Sequence, residues 1–223
     1  MRLVEYPDRE LMMMDLADTL ASELKSVLLT HETASFCVPG GTTPGPVFDV
    51  LSGVDLDWPR IAVFPTDERW VPEDSPRSNT RLLRERLVTG KAAGARLLPL
   101  HAPFVEPEEA IPALTEMIEP HLPISVLLLG MGADMHTASL FPGADRLTAA
   151  LADDAPVLMA MRAEGAGEPR VTLTARVLRD AMSIHIVIAG AEKRAALERA
   201  QQLPPHEAPV RAVLGNATVH WAE

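Results

Sequence analysis

The sequence predicts an α/β protein: a single Rossmann-like domain spanning 1–223, with a mostly parallel sheet and helices on both faces. Short apolar runs such as Ala34–Val38, Ile61–Phe64 and Val126–Leu129 have the length of strands buried in a parallel sheet. Between them lie longer segments with apolar residues at helical spacing, and strands alternating with helices make such a sheet. A chain of 223 residues is long enough to bury one core of this kind without a second.

The first helix is expected over 8–29, where Leu11, Met14, Ala17, Leu20, Leu24, Val27 and Leu28 recur at helical spacing. Met12 to Met14 fit core packing better than a soft-metal site. After a break at His31 and Glu32, the strand Ala34–Val38 leads into Pro39, Gly40, Gly41, Thr42, Thr43 and Pro44. Glycine lets backbone approach a ligand there, Thr42 or Thr43 can cap, and Pro44 suits the first helical position. Such a turn is a phosphate cradle through its outward N–H groups, and equally a plain strand-to-helix turn. Ile61–Phe64 is the next strand, with Asp67, Glu68 and Arg69 just past it, then Ser75 to Asn79 and helical spacing over 80–88. An arginine fork donates two parallel hydrogen bonds to a phosphate. Arg77, Arg81, Arg84 and Arg86 read in part as a solvated helix face.

A strand is expected over 96–100 and a helix over 108–118. Val126–Leu129 then runs into Gly130 and Gly132, and past it stand Asp134, His136, Thr137 and Ser139, ahead of a Phe141-Pro142-Gly143 stop. Ligands of open α/β sheets collect outside the carboxyl ends of the strands. A histidine in the first turn of a short helix here would be kept neutral by the helix dipole, with Asp134 as cap or as the group fixing its tautomer. A polar loop residue and a simple cap are the plainer reading of the same pair. Strands are expected over 156–161 and 170–174, around a glycine-containing loop 162–169, and a helix over 175–181. Ser183–Ala189 is a strand in which His185 is a core residue. Gly190 opens a helix to Ala200 with Lys193 in its first turn, and a last short strand is expected at 212–214, leading to Val219–Trp221. One sheet edge would thus gather Gly40 to Thr43, Asp67, Arg69, Asp134, His136 and Lys193 around a small phosphorylated, polar molecule.

Charged residues at 23% and hydrophobic ones at 47% describe an ordinary soluble globular protein. No signal-peptide apolar core follows Met1, and no apolar stretch nears the roughly 20 residues of a membrane span, so a cytoplasmic protein is expected. A net charge of -11 argues against nucleic acid or an anionic membrane as partner. No His or Cys pair has zinc-ligand spacing, so no metal site is expected, and the lone Cys37 lies in an apolar run as a core thiol.

These residues resemble the 6-phosphogluconolactonases. The family's segment Gly-x-Gly-x-Asp-Gly-His-x-Ala-Ser-Leu-Phe-Pro is matched by Gly130, Gly132, Asp134, His136, Ala138, Ser139, Leu140, Phe141 and Pro142. Pro39 to Pro44, Asp67-Glu68-Arg69 with Ser78-Asn79, Arg170 to Thr174, and Gly190 with Lys193 follow in the family's order. Met135 stands where the family has glycine, and methionine tolerates positive φ poorly, so a slower enzyme or a shifted loop is expected.

The resemblance implies hydrolysis of 6-phospho-D-glucono-1,5-lactone to 6-phosphogluconate in the oxidative pentose phosphate route, without cofactor, by a monomer. It implies His136 as general base on water and Asp134 as its orienting group. Backbone N–H groups near Gly41 and around position 135 would hold the oxyanion. Arg69, Lys193, the Gly40, Gly41, Thr42, Thr43 cradle and Arg170 would grip the phosphate, while Asp67 and Asn79 would take sugar hydroxyls or hold the arginine. A Ser139 nucleophile ranks lower because the segment lacks the Gly-x-Ser-x-Gly elbow. The nearest rival enzyme, glucosamine-6-phosphate deaminase, carries Asp-Glu-Tyr where this chain has Asp67-Glu68-Arg69 and continues into Asn-Glu-Pro. A sugar-phosphate-sensing domain of a transcription regulator would bring a helix-turn-helix and a basic patch, which this acidic chain lacks.

Overall fold

The apolar runs become the strands of one parallel sheet. A computed structural model describes residues Met1–Glu223. In chain order the elements are β1 (Arg2–Glu5), α1 (Arg9–Leu28), β2 (Ala34–Val38), α2 (Gly45–Leu51), β3 (Ile61–Pro65) and β4 (Asp67–Arg69). Then come α3 (Asn79–Arg86), β5 (Arg96–Leu97), α4 (Pro107–Ile118), β6 (Val126–Gly130), α5 (Leu147–Leu151) and β7 (Leu158–Met161). β8 (Arg170–Leu173), α6 (Ala175–Arg179), β9 (Ser183–Ala189), α7 (Ala191–Ala200), α8 (Arg211–Leu214) and β10 (Thr218–Ala222) complete the chain.

The main sheet has seven strands in the order β1-β10-β9-β6-β2-β3-β5. All its pairings are parallel. From β2 the chain moves outward to β3 and β5, whereas from β6 it moves the other way to β9 and β10. The adjacent β2 and β6 therefore form a switch point, and the loops leaving their carboxyl ends part to open a crevice.

Alternate residues of each strand feed two cores. Val126 and Leu128 of β6 pack with α1, α2 and α3 on one face through Leu16, Leu20, Phe48 and Leu83. Leu127 and Leu129 pack on the other with Leu114 of α4, Leu178 of α6, Leu197 of α7 and Val213 of α8. This two-sided burial is why the strands read as unbroken apolar runs. Helices on both faces follow as expected.

Several expectations are corrected. The polar run at the chain start contains β1, an edge strand paired only with β10, where solvent on one side permits polar residues. The segment 212–214 belongs to α8, because a few apolar residues carry no period that separates strand from helix. The strand after Arg96 ends at Leu97, although Leu98 N still donates to Val63 O at 2.8 Å. A second sheet, β4-β8-β7, is antiparallel and stands apart from the parallel one. Thr66 links the two, its O accepting from Leu173 N at 3.0 Å. No helix is long and apolar enough to cross a membrane.

Candidate active site

At the switch point lies a cleft of about 440 Å³. Its walls include Gly40, Gly41, Thr42, Thr43, Asp67, Arg69, Asn79, His136, Arg170 and Lys193, every site residue expected from the sequence except Asp134. Asp134 stands one hydrogen bond behind the cleft, on His136.

The loop after β6 closes on itself. Gly132 N donates to His136 O at 3.0 Å and Met135 N to Gly132 O at 2.9 Å, while Thr137 Oγ1 ties the loop to Gly130 O at 2.8 Å. No helix forms here, so the dipole expectation for His136 is withdrawn. Asp134 tunes the imidazole instead, since its Oδ1 lies 2.5 Å from His136 Nδ1 and accepts from His136 N at 3.1 Å. An ionised carboxylate only accepts, so the ring proton sits on Nδ1 and Nε2 is left as the basic nitrogen. Burial pushes the Asp134 carboxyl up, but the bonds and charge of His136 outweigh it and hold it below its usual value. Phe141 supports the imidazole at 4.5 Å between ring centroids.

Gly132 is dictated by this pair. A Cβ there would lie 2.2 Å from His136 Nδ1 and 2.4 Å from Asp134 Oδ1. Met135 occupies φ 68, the left-handed conformation that favours glycine, so the loop keeps that shape with a residue that strains it. The Met135 and His136 N–H groups are spent within the loop, which removes both as oxyanion donors.

Across the crevice, no protein hydrogen bond engages the N–H groups of Gly40, Gly41, Thr42 and Thr43. Gly41 sits at φ 88, and Gly40 runs so close to Asn79 that a Cβ would meet its Oδ1 at 1.9 Å. Neither threonine caps α2, whose N-cap is Pro44 with no side-chain bond.

The third wall comes from the antiparallel sheet, whose register sets Arg69 directly opposite Arg170. Like charges so paired repel unless an anion joins them. Each also leaves its Nε buried without a partner. Burial lowers the Arg170 pKa, with Arg69 and Arg77 adding to the effect and Asp67 and Glu168 opposing it. Arg69 is oriented by Arg77 O at 2.7 Å and Asn79 Oδ1 at 3.5 Å. Asn79 Nδ2 in turn donates to Asp67 O at 2.8 Å, so Asn79 holds the arginine strand. Lys193, at the first turn of α7, is half-buried, and that burial lowers its pKa against the charges of Glu192 and Asp134.

Two buried acids complete the frame. Asp67 accepts from Thr66 Oγ1 at 2.8 Å and from Ser139 Oγ at 2.6 Å. Ser139 is fully buried and commits its hydroxyl there, away from the cleft. Glu68, also fully buried, accepts from the backbone of Arg69, Asn79 and Thr80 and from the Ser78 and Thr80 hydroxyls. It thereby caps α3 from inside, a role that the charged Asp67-Glu68-Arg69 triplet conceals in the sequence. Arg77, grouped by its sequence with a solvated helix face, instead lines the cleft and pairs with Glu168. The 162–169 loop carries two acids, Glu164 and Glu168, and nothing local in the sequence tells which of them meets Arg77.

The likeness to known proteins runs the length of the chain. The sequence model of the family described as glucosamine-6-phosphate isomerases/6-phosphogluconolactonase matches residues 7–221. The 6-phosphogluconolactonase of Rhizobium meliloti is 40% identical over 215 residues, covering 93% of this chain and 92% of the relative. That of Pseudomonas aeruginosa is 39% identical over 214 residues, covering 92% and 88%. The crystal structure of a 6-phosphogluconolactonase from Shewanella baltica superposes with a TM-score of 0.96 at 30% identity, over 100% of this chain and 97% of that one. A monomeric glucosamine-6-phosphate deaminase shares the fold alone, with a TM-score of 0.78 at 16% identity over 100% and 98% of the two chains.

Proposed function

The chain belongs to the glucosamine-6-phosphate isomerase/6-phosphogluconolactonase family, and on that premise we propose that it hydrolyses 6-phospho-D-glucono-1,5-lactone to 6-phosphogluconate in the oxidative pentose phosphate pathway. The observation that carries this reading is a basic nitrogen, His136 Nε2, on a cleft whose third wall holds two arginines with buried, unpartnered Nε atoms.

In this reading water attacks the lactone carbonyl carbon while its proton passes to His136 Nε2. The tetrahedral intermediate collapses with rupture of the bond to the ring oxygen, which takes that proton back, and the acid formed ionises. Asp134 keeps the ring in one tautomer and faces the positive charge while it lasts. The N–H groups at 135 and 136 are occupied, whereas those of Gly40 to Thr43 are free to donate to an oxyanion or a phosphate oxygen. Arg69, Arg170 and Lys193 grip the phosphate, and their charge offsets the field of a net -11 protein. The main-chain tie of Asn79 and the buried bonds of Asp67 support a framing role for both. The same reading takes the protein as a single-domain, cytoplasmic monomer.

The test generates the lactone in place from glucose 6-phosphate and follows 6-phosphogluconate. Acceleration above the spontaneous rate, with no ammonia from glucosamine 6-phosphate, is the expected result. No acceleration overturns the reading, and ammonia release would move the chain to the isomerase branch.

A further inference from the structure

An ion pair that the chemistry above leaves unused joins the two walls of the cleft mouth. Arg77 precedes α3 and lines the cleft, its Nε and Nη2 reaching the two carboxylate oxygens of Glu168, the second at 2.9 Å. Glu168 belongs to the 162–169 loop, whose Gly165 and Gly167 sit at φ 79 and φ 78. Gly165 and Ala166 also line the cleft. The inner arginines hold the segments that this outer pair joins: Arg170 Nη2 donates to Ala166 O at 3.0 Å, and Arg69 Nη1 to Arg77 O at 2.7 Å.

Three guanidinium groups, on Arg69, Arg77 and Arg170, thus meet two carboxylates, on Asp67 and Glu168, and Arg170 feels all four others. Asp67 is buried and committed to Ser139 and Thr66, whereas Glu168 sits on an outer loop. A phosphate dianion on Arg69 and Arg170 would stand beside the Glu168 charge and repel it. We propose that Glu168 is a built-in competitor for the substrate's phosphate, which displaces it and gains Arg77 as a third guanidinium ligand. This rests on the phosphate placement proposed above. Arg77 is then a specificity-determining residue, and Glu168 a positioning residue acting through it.

The exchange is physically easy. The Arg77 side chain is 54% exposed, so solvent and salt weaken its pair, while the guanidinium fork suits phosphate as well as carboxylate. The bond from Arg77 keeps the Glu168 carboxyl down at about 2, so the competitor stays charged at any working pH.

Titration calorimetry with inorganic phosphate tests this on wild type, Glu168→Gln, Arg77→Gln and the double variant. Glu168→Gln should bind phosphate about twofold to fivefold more tightly and Arg77→Gln more weakly by a similar factor. In the Arg77→Gln background, Glu168→Gln should bring a clearly smaller gain, because only the repulsion between the two anions is then relieved. In lactone kinetics Glu168→Gln should lower KM for the phosphorylated substrate, keep kcat within about twofold, and leave KM for unphosphorylated glucono-1,5-lactone unchanged. Unchanged phosphate affinity in Glu168→Gln, or an equal gain without Arg77, overturns the proposal. Calorimetry needs no turnover: phosphate binding in this pattern without lactone hydrolysis would keep the competitor and sink the lactonase, and the converse result would do the reverse.

Discussion

Replacing Asp134 by Asn leaves a hydrogen-bonding side chain beside His136 but removes the acceptor-only partner that keeps the proton on Nδ1. Asp134→Asn should therefore lower kcat at least about tenfold with little change in KM, measured by steady-state lactone hydrolysis. Because His136 holds the Asp134 carboxyl below its usual value, the orienting charge persists as pH falls through the ordinary carboxylate range. Gly132→Ala should match the loss caused by removing His136 itself, since its Cβ would lie 2.2 Å from His136 Nδ1 in a loop with no slack. An active Gly132→Ala would show that the pair tolerates displacement. Met135→Gly points the other way. Glycine accepts φ 68 freely and both backbone bonds of residue 135 survive, so activity should stay within about threefold. A dead Met135→Gly would assign the methionine side chain a role of its own. The His136 and Asp134 positions were legible because they follow a buried strand; of the two influences expected on the ring, the helix dipole falls away and the Asp134 carboxylate remains.

Among the elements, α3 depends on a buried acid. Glu68→Ala strips five hydrogen bonds from a fully buried site and leaves the N–H groups of Asn79 and Thr80 without partners. A loss of about 3 kcal/mol in urea unfolding is expected, with KM raised because Arg69 and Asn79 lose their frame. A second element-scale effect joins α1 to β9 and β10. His220 shares hydrogen bonds with Tyr6 Oη at 2.8 Å and His185 at 3.0 Å, and His185 reaches Glu23 at 2.9 Å. Burial, then the neighbouring His185, pushes the His220 pKa down from 6.5 to about 4. A folded pKa below the unfolded one means the unfolded chain binds the proton first, so this contribution is complete above pH 6.5 and lost as pH falls towards 4. Urea unfolding should weaken by roughly 3 kcal/mol across that window, and His220→Gln should flatten the dependence. The strands of the main sheet were legible because burial on both faces makes them short apolar runs. β4 was not, since Asp67, Glu68 and Arg69 are polar residues paired in a second sheet, and pairing across the chain leaves no local period.

For the whole molecule, the shared edge of the parallel sheet was the right expectation, because alternation of strands and helices sets it. The third wall was hidden: Arg69 and Arg170 meet only through antiparallel pairing of segments far apart in the chain, which nothing local announces. A cationic cleft in a protein of net charge -11 binds its anion against the global field, so screening should act on the cleft itself. KM for the phosphorylated lactone should rise with ionic strength while that for the unphosphorylated lactone stays level. All of this depends on His136 acting on water in a site built for a sugar phosphate. The most direct measurement is lactone hydrolysis by wild type and His136→Ala side by side, with circular dichroism confirming the fold of both. Wild type should exceed the spontaneous rate, and His136→Ala should lose about 100-fold to 10,000-fold in kcat while remaining folded. A folded His136→Ala with wild-type turnover would contradict the assignment of the base.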